Sequence, residues 1–241
     1  MNLIPPISNE QQEVITELEN NNNVIVNSVA GSGKTTCNLH IALRFPEKEI
    51  LLLTYNSKLK LETRNRVKKM GLTNIETHSY HSFCVKYYDN KCFTDGVIKE
   101  IVNKKSISSK SFKYDLIILD EAQDINPLYY QLICKIYNNN NNNENVNICV
   151  LGDEKQSIFD FNRADERFIT FADKIFTLNE LPWKKCKLSQ SFRITNEMAE
   201  LLNGCILNEE RICLRSTGGA SESPSINART RILFLYCKND Y

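Results

Sequence analysis

Short apolar runs recur along the chain and alternate with longer stretches in which apolar residues follow a helical spacing. Runs of this kind, bounded by turn-forming or charged residues, are typical of buried strands. Strands are predicted at residues 24–26, 50–53, 116–119, 148–151 and 187–188. Helices are predicted at residues 34–43, 57–70, 127–137 and 195–206. This alternation predicts an α/β fold in which helices cover both faces of a parallel sheet.

Polar segments separate these elements and indicate the domain boundaries. Asparagine runs at residues 20–23 and 138–143 carry little apolar surface, so both are predicted as surface loops. Residues 216–230 are rich in Ser, Gly, Pro and Asn and are predicted as a linker that follows a first domain at residues 1–215. Residues 231–241 begin as a strand that cannot bury itself alone, so we expect the first strand of a truncated second domain.

Amino-acid composition limits the cellular compartments in which the protein is expected, but it does not indicate the function. The 41% apolar content is that of a globular protein, and no run approaches the roughly 18 apolar residues of a membrane helix. Nine cysteines without a C-x-x-C pair predict reduced, buried thiols, several of them in apolar runs: Cys134, Cys149 and Cys213. We therefore expect a soluble protein of the cytoplasm or the nucleus. A net charge of +1 gives no electrostatic case for nucleic-acid binding.

A phosphate-binding loop is predicted where the first strand meets the first predicted helix. Ser28-Val29-Ala30-Gly31-Ser32-Gly33-Lys34-Thr35 matches the P-loop pattern except for Ser28 at the first glycine position. Gly31 and Gly33 let successive N–H groups point at phosphates, and the helix N-terminus adds its dipole. Lys34 is predicted to reach the terminal phosphates, and Thr35 to ligate Mg²⁺. The other residues predicted to hold the nucleotide here are Ala30, Ser32 and Thr36.

Two adjacent carboxylates are predicted to complete this site. The strand at residues 116–119 delivers Asp120 and Glu121 at its carboxyl end, where ligands of open α/β sheets bind. Asp120 is predicted to hold Mg²⁺ together with Thr35, and Glu121 to orient and deprotonate the attacking water. ATP and Mg²⁺ are therefore the predicted cofactors.

Six further segments resemble, in family order, the motifs of UvrD/Rep-like superfamily 1 helicases. They are Ile7-Ser8-Asn9-Glu10-Gln11 (Q motif), Leu53-Thr54-Tyr55-Asn56-Ser57 (motif Ia), Ser79-Tyr80-His81-Ser82-Phe83-Cys84 (motif Ib), Asp120-Glu121-Ala122-Gln123-Asp124 (second motif), residues 152–159 (third motif) and Leu188-Ser189-Gln190-Ser191-Phe192-Arg193 (fourth motif). Together with the P-loop they cover most of residues 7–194. Thr54-Tyr55-Asn56 and Thr77-His78-Ser79 favour the branch that contains the F-box DNA helicase.

The resemblance implies a RecA-like, ATP-binding helicase domain and gives roles to residues around the nucleotide. Gln11 is expected to pair with the N6/N7 edge of adenine, and Phe192 to stack on its ring. Gln156 and Arg193 are expected near the γ-phosphate, where an arginine neutralises charge that develops in the transition state. The implied catalytic residues are Lys34, Asp120, Glu121, Gln156 and Arg193.

The resemblance also implies a path for single-stranded nucleic acid. The residues implied to line it are Tyr55, Asn56, His81, Phe159 and Phe161. Base stacking contributes about 1 to 3 kcal/mol per ring, and core packing is the alternative role of each aromatic residue. The basic residues of the predicted helix 57–70 either contact phosphates or form a solvated face. The expected partner is single-stranded or partly duplex DNA, with RNA as the alternative.

The sequence departs from the family pattern in ways that bear on motor activity. Asp160 and Asn162 remove positive charge from the expected strand path, and Arg163 is a candidate to compensate. No fifth or sixth motif follows Arg193, and those motifs normally lie on the second RecA-like domain. Because a motor needs two domains that close around ATP, we expect this chain to bind Mg-ATP weakly and hydrolyse it slowly. A separate chain carrying the second domain is a candidate partner.

The expected function is that of the ATP-binding module of a 3′-to-5′ DNA helicase or translocase. The first alternative is a truncated, non-enzymatic protein that binds ATP or nucleic acid, as the remnant of a split gene. A second alternative is an interaction module that keeps the fold without the chemistry. A small-molecule kinase is the third, although it would need an acceptor pocket and a lid in place of the Gly-Asp-x-x-Gln motif.

Overall fold

Six parallel strands form one sheet at the centre of the fold. The computed structural model describes residues 4–104, 108–141, 146–156 and 165–213. The strands are β1 (Asn23–Ser28), β2 (Ile50–Thr54), β3 (Ile75–Ser79), β4 (Leu116–Asp120), β5 (Asn147–Gly152) and β6 (Trp183–Leu188). Their order across the sheet is β3-β2-β4-β5-β1-β6, and every pairing is parallel. The predicted α/β fold is therefore confirmed.

Helices occupy the connections between the strands. The α-helices are α1 (Asn9–Glu19), α2 (Lys34–Arg44), α3 (Ser57–Lys69), α4 (Tyr80–Tyr87), α5 (Asp95–Asn103), α6 (Pro127–Asn138), α7 (Arg167–Thr170), α8 (Ala172–Ile175) and α9 (Asn196–Leu201). A 3₁₀ turn (Ala122–Asp124) follows β4, and a π-helical turn (Leu202–Leu207) continues α9. The sequence prediction agrees with α2, α3 and α6 to within a residue or so at each end. It treats α9 and the π-helical turn as one helix, and it omits α1, α4, α5, α7 and α8.

The four inner strands β1, β2, β4 and β5 are buried on both faces, which explains why they contain apolar runs. Along β2, Leu51 and Leu53 face the core beneath α4, α5 and α6. The intervening residues Ile50 and Leu52 face the core beneath α1 and α2. Successive side chains of a strand point to opposite faces of the sheet. A strand that is covered on both faces therefore needs an apolar residue at every position. The carboxyl ends of the strands therefore form the edge at which polar residues gather.

Strand β3 is absent from the sequence prediction because it carries polar residues in place of an apolar run. Glu76 accepts hydrogen bonds from Tyr87 Oη at 2.8 Å and Tyr114 Oη at 2.9 Å. Its oxygens also lie 3.1 Å from His78 Nε2 and 2.6 Å from Lys86 Nζ. These bonds, that of His78 first, hold the pKa of Glu76 well below its usual range. A polar strand is thus stable at this edge because its carboxylate is fully partnered.

The first asparagine run, residues 20–23, is only half exposed. Its first two residues are exposed, whereas its last two are buried and Asn23 begins β1. Asn23 Nδ2 donates to Asn179 Oδ1 at 2.7 Å, and Asn23 Oδ1 accepts from Ile148 N at 2.9 Å. The surface-loop prediction is wrong for this part of the run, because an asparagine amide can replace missing backbone partners inside a fold.

The second asparagine run contains a similar exception. Asn140 is 1% exposed, and its side chain pairs with the backbone of Tyr114 as a strand would. Tyr114 N donates to Asn140 Oδ1 at 2.8 Å, and Asn140 Nδ2 donates to Tyr114 O at 2.9 Å. This residue therefore anchors the end of α6, while residues 142–145 lie outside the described ranges.

Replacing Asn23 by alanine should destabilise the protein strongly. The change leaves the buried Ile148 N–H without its side-chain acceptor, at about 1 to 3 kcal/mol, and removes one of the two hydrogen bonds that Asn179 Oδ1 accepts. We expect Asn23→Ala to lower the free energy of unfolding by about 3 kcal/mol in urea denaturation. Asn20→Ala, at an exposed position of the same run, should change it by less than about 0.5 kcal/mol. Equal effects of the two substitutions would contradict this assignment.

Three further sequence predictions meet different outcomes. The predicted linker at residues 216–230 and the strand at 231–241 lie outside the described residues. Within the described ranges, no helix has the length and apolar character needed to cross a membrane. The eight cysteines of these ranges are free thiols, and Cys149 is buried as expected. Contrary to prediction, Cys134 is only half-buried and Cys213 is exposed, since Cys213 lies outside the sheet core in an isolated bridge to Gln190.

Candidate nucleotide-binding site

The predicted phosphate loop lies at the carboxyl end of β1 and leads into α2. Gly31 and Gly33 have φ angles of +73° and +88°, which glycine adopts without the strain of a side chain. Gly33 is the N-cap of α2 and provides no side-chain acceptor, so the first N–H groups of the helix can bind an anion. Ser32 Oγ is buried without a hydrogen-bond partner among the described residues. The loop therefore presents donors that an anion would satisfy.

The fourth-motif segment holds one side of this loop. Ser191 Oγ donates to Ala30 O at 2.8 Å, and Phe192 N donates to Gly31 O at 2.9 Å. A Cβ atom on Gly31 would lie 2.5 Å from Arg193 Cβ, so the loop and this segment approach too closely for a side chain. This approach brings Arg193 to the same cleft as the loop.

Gln11 supports the loop from the α1 side. Its Nε2 donates to Gly33 O at 3.3 Å, and its Oε1 accepts from Ser8 N at 3.1 Å to complete the capping box of α1. Gln11 is 2% exposed, whereas Phe192 is 53% exposed and its ring lies 3.8 Å from where a Cβ on Gly33 would stand. Both residues adjoin the loop, and their contacts to adenine stay predictions.

Glu121 follows β4 in a strained backbone conformation. Its φ of +55° is in the left-handed region, which costs a residue with a side chain roughly 1 to 2 kcal/mol. Its Oε2 lies 3.3 Å from Lys34 Nζ and accepts a hydrogen bond from Gln123 Nε2 at 2.8 Å. Strain of this kind persists where the surroundings fix a residue, and it is frequent at functional sites.

Negative charge is in excess around the phosphate loop. Burial, followed by the charge of Glu121, raises the pKa of Asp120 to about 7. Burial and the same neighbour raise the pKa of Asp124 to about 7. Burial disfavours the ammonium of Lys34, but three neighbouring carboxylates, Glu121 first, outweigh it and raise the pKa of Lys34. Desolvated carboxylates with a single lysine between them fit an added cation, and oxygen ligands suit Mg²⁺.

The N-terminus of α2 lies next to Asp120, which is where such a cation would be held. Asn38 Nδ2 is 3.5 Å from Asp120 Oδ2. Thr35 precedes Asn38 by three residues and lines the cleft, so both lie on one face of α2. The oxygens of Thr35 and Asp120 thus fit the predicted magnesium site, whose occupancy stays a prediction.

The third-motif segment connects to the second motif through glutamine side chains. Ser28 Oγ donates to Gly152 O at 2.7 Å, which accounts for a serine at the first position of the loop. Asp153 N donates to Gln123 Oε1 at 3.1 Å. Gln156 Nε2 in turn donates to Asp153 Oδ2 at 2.6 Å. A continuous polar chain therefore runs from Glu121 through Gln123 and Asp153 to Gln156.

One cleft of about 250 Å³ gathers most of the residues predicted for the nucleotide. Residues 30–36, Glu121, Gln156 and Arg193 line it, and Asp120 is buried beside them. The sequence analysis misses three lining residues of α3: Leu59, Glu62 and Arg66. Their spacing of three and four residues places them on one helix face, but nothing in the sequence shows that this face borders the cleft.

The basic residues of α3 do not act as a single set. Arg66 lines the nucleotide cleft and pairs with Glu62 at 3.3 Å. Arg64 is turned towards β3, where its Nε donates to Thr77 O at 2.6 Å. The sequence analysis weighed phosphate contact against a solvated face for these residues, and neither role describes the whole helix.

The residues predicted to contact nucleic acid have varied surroundings. Tyr55 is half-buried, with its ring centre 6.0 Å from that of Tyr129. His81 Nε2 lies 3.1 Å from Asp95 Oδ1. Asn56 caps α3, since its Oδ1 accepts from the first N–H groups of that helix. The other two predicted residues, Phe159 and Phe161, lie outside the described residues.

Comparison with known proteins identifies the sequence family. A model of the UvrD/REP helicase N-terminal domain matches residues 7–110 and 98–177. The chain is similar to an ATP-dependent helicase/nuclease of Leuconostoc mesenteroides, with 30% identity over 107 residues, which is 44% of this chain and 8% of that protein. It is also similar to the replication restart protein PriA of Rickettsia conorii, with 22% identity over 228 residues, 88% of this chain and 35% of that protein.

Solved structures show the same fold. The Pif1 helicase from Candida albicans superposes with a TM-score of 0.55 at 18% identity, covering 83% of this chain and 44% of that one. A structure of two coordinating Pif1 helicases at forked duplex DNA gives 0.52 at 18% identity, covering 88% of this chain and 50% of that one. The chain thus spans half or less of the length of each of these relatives.

Proposed function

Because the chain belongs to the UvrD/Rep family of superfamily 1 helicases through its N-terminal domain, we propose that it is the ATP-binding module of an ATP-dependent DNA helicase or translocase. The observation that carries the proposal is the convergence of distant segments on one cleft. The phosphate loop, Glu121, Gln156 and Arg193 come from four separate parts of the chain and line the same 250 Å³ space.

Each lining group has a defined task in phosphoryl transfer. The N–H groups of the loop and Lys34 bind the phosphates, and Mg²⁺ between Thr35 and Asp120 would neutralise charge on them. Arg193 and Gln156 face the terminal phosphate. An arginine there accelerates hydrolysis by roughly 10³- to 10⁵-fold in related NTPases.

The ion pair of Lys34 with Glu121 gives a physical reason for coupling binding to activation of water. The Glu121 carboxylate lies 3.3 Å from Lys34 Nζ and accepts a hydrogen bond from Gln123 Nε2 at 2.8 Å. Phosphates compete for Lys34, since their charge exceeds that of one carboxylate. Binding therefore releases Glu121 to orient and deprotonate the attacking water.

Hydrolysis of ATP that depends on single-stranded DNA tests this proposal. We expect the purified chain to bind Mg-ATP, and we expect DNA to raise its turnover. The rate should stay below the roughly 1 to 100 s⁻¹ typical of phosphoryl-transfer kinases, if a second domain supplies part of the γ-phosphate environment. Binding of Mg-ATP without any hydrolysis would favour the alternative, a non-enzymatic protein that binds ATP and nucleic acid.

We also propose that Tyr55 stacks on a base of single-stranded DNA. It follows the last residue of β2, at the sheet edge that also bears Asp120, and its side chain is only partly buried. Tyr55→Ala should weaken binding of a labelled oligonucleotide by about 1 to 3 kcal/mol in fluorescence anisotropy. Tyr55→Phe keeps the ring and should bind as the parent does. Unchanged affinity in Tyr55→Ala would assign the ring to packing against Tyr129 instead.

The activity of the whole motor is a further proposal. Movement from 3′ to 5′ is supported by the resemblance to the UvrD/Rep family, and a second RecA-like domain, in the same or another chain, would be the moving partner. Unwinding of duplexes that carry either a 3′ or a 5′ single-stranded tail would distinguish the two polarities. A preference for the 5′ tail would overturn the proposed direction.

A further inference from the structure

Arg211 lies outside every motif of the sequence analysis, yet its side chain is buried beside the third-motif segment. The side chain is 10% exposed, and its Nη1 lies 2.7 Å from Oδ1 of Asp153, whose own side chain is fully buried. Its Nη2 donates to Asn27 Oδ1 at 2.9 Å and lies 4.0 Å from Glu154 Oε1. A charge is desolvated to this extent only where a partner compensates it.

The carboxylate of Asp153 is divided between Arg211 and the cleft. One oxygen, Oδ1, forms the ion pair with Arg211 and accepts from Lys155 N at 3.0 Å. The other, Oδ2, accepts from Gln156 Nε2 at 2.6 Å. Burial raises the pKa of Asp153, and the charge of Arg211 opposes that rise. Arg211 thus favours the ionised form that both contacts require.

An ionised Asp153 fixes which way the Gln156 amide points. A carboxylate without a proton only accepts hydrogen bonds, so the amide must turn its NH₂ group towards Asp153. The Gln156 carbonyl and one N–H are then left for the cleft that Gln156 lines. If Asp153 were protonated, it could donate to the carbonyl instead, and the amide could bind in the reverse orientation. The charge of Arg211 therefore selects one arrangement of a cleft residue.

The chain around Arg211 is itself held in place. Asn203 Oδ1 accepts from Arg211 N at 3.3 Å and from Ile212 N at 3.0 Å. Asn203 Nδ2 donates to Ile212 O at 2.9 Å, and Asn203 is buried in the π-helical turn. The backbone of Arg211 is held by Asn203, and its two Nη atoms contact Asp153 and Asn27. An arginine fixed in this way is suited to hold another group in position.

We propose that Arg211 is a positioning residue that, through Asp153, sets the Gln156 amide to read the terminal phosphate of ATP. This inference rests on the proposed function, because it gives Gln156 a γ-phosphate to contact. Arg211 itself does not line the cleft, so its effect should be confined to ligands that carry that phosphate.

The test compares affinities for a diphosphate and a triphosphate. Mg-ADP and a non-hydrolysable Mg-ATP analogue are titrated against the chain, and the ratio of their dissociation constants gives its preference for the triphosphate. We expect Arg211→Gln to reduce this preference roughly tenfold, the size of one charge-assisted contact, with affinity for ADP changed less than about twofold. Arg211→Lys keeps the charge, so it should lose less of the preference for the triphosphate. Arg167→Gln is the matched control, since Arg167 is exposed and, in the part of the chain that the structure describes, pairs only with Asp165.

A double substitution tests whether Arg211 acts on nucleotide preference through Gln156. In Gln156→Ala, the addition of Arg211→Gln should produce no further loss of preference. A parent-like preference in folded Arg211→Gln, or an equal loss of affinity for both nucleotides, would overturn the proposal. If Arg211→Gln does not fold, Arg211→Lys decides: a partial loss confined to the triphosphate supports the proposal, and an equal loss of affinity for both nucleotides overturns it. A parent chain that binds neither nucleotide would instead refute the proposed function.

Discussion

Lys34→Ala should remove nucleotide binding from the measurable range. The lysine is the cation that lies against Glu121 in the cleft, and phosphates would take over that contact. Its loss leaves Asp120 and Glu121 without their nearest positive charge, and these carboxylates then repel an incoming polyphosphate. We expect the dissociation constant for fluorescent ATP to rise at least 100-fold, which corresponds to about 2.8 kcal/mol.

The control for this substitution is a lysine of the surface. Lys104 is 68% exposed, and within the described residues its side chain pairs only with Glu100, one helical turn before it. Lys104→Ala should leave ATP affinity unchanged, since such surface pairs contribute little. Circular dichroism of both variants would show whether the fold is intact. An unchanged affinity in folded Lys34→Ala would remove the phosphate loop from the proposed site.

Gly31→Ala should damage both stability and nucleotide binding. A Cβ at this position would lie 2.5 Å from Arg193 Cβ and 3.0 Å from Ser191 Oγ, so the loop and the fourth-motif segment must separate. The φ of +73° adds strain of about 1 kcal/mol. Together with overpacking of about 1 to 3 kcal/mol, we expect a loss of about 3 kcal/mol in unfolding free energy. ATP affinity should fall at least tenfold because Arg193 and the loop N–H groups move apart.

Gly71 offers a matched control for the backbone strain alone. Its φ is +65°, close to that of Gly31, but among the described residues, apart from Gly71 and its two chain neighbours, no heavy atom lies within 4 Å of where its Cβ would stand. Gly71→Ala should therefore cost about 1 kcal/mol of stability and leave ATP affinity unchanged. If the two alanine variants behave alike in denaturation and in ATP titration, the close approach of the two segments is not what Gly31 serves.

The sequence predicts those parts of this fold that local patterns specify. The strands buried on both faces, such as β2 and β4, are short runs of apolar residues, which a local window of sequence detects. Strand β3 has no such run, because Glu76 and His78 are stabilised by partners from α3, α4 and the segment before β4. Those partners are distant in sequence, so no local window reveals them. The same holds for the buried amides of Asn23 and Asn140.

In the candidate site, too, the sequence predicts the residues that belong to local motifs and misses those that depend on the fold. The P-loop and the carboxylates of the second motif are recognised because their chemistry requires particular residues at adjacent positions. Arg66 and Arg211 carry no such signal, since each depends on how a helix or a loop is placed against another segment. Arg66 becomes visible only when α3 is seen to border the cleft. Arg211 becomes visible only through its ion pair to Asp153, which is 58 residues earlier (211 − 153).

The two hydrogen bonds that join residues 30–31 to residues 191–192 also bear on the kinetics of binding. They fix the phosphate loop through contacts within the protein, so little chain entropy remains to be lost when a ligand binds. Rapid association follows, and the lifetime of the complex then sets the affinity. A pull on α9, which begins three residues after Arg193, would reach the loop through these same bonds. Because Arg193 lines the cleft, a displacement of α9 would also move a residue of the site.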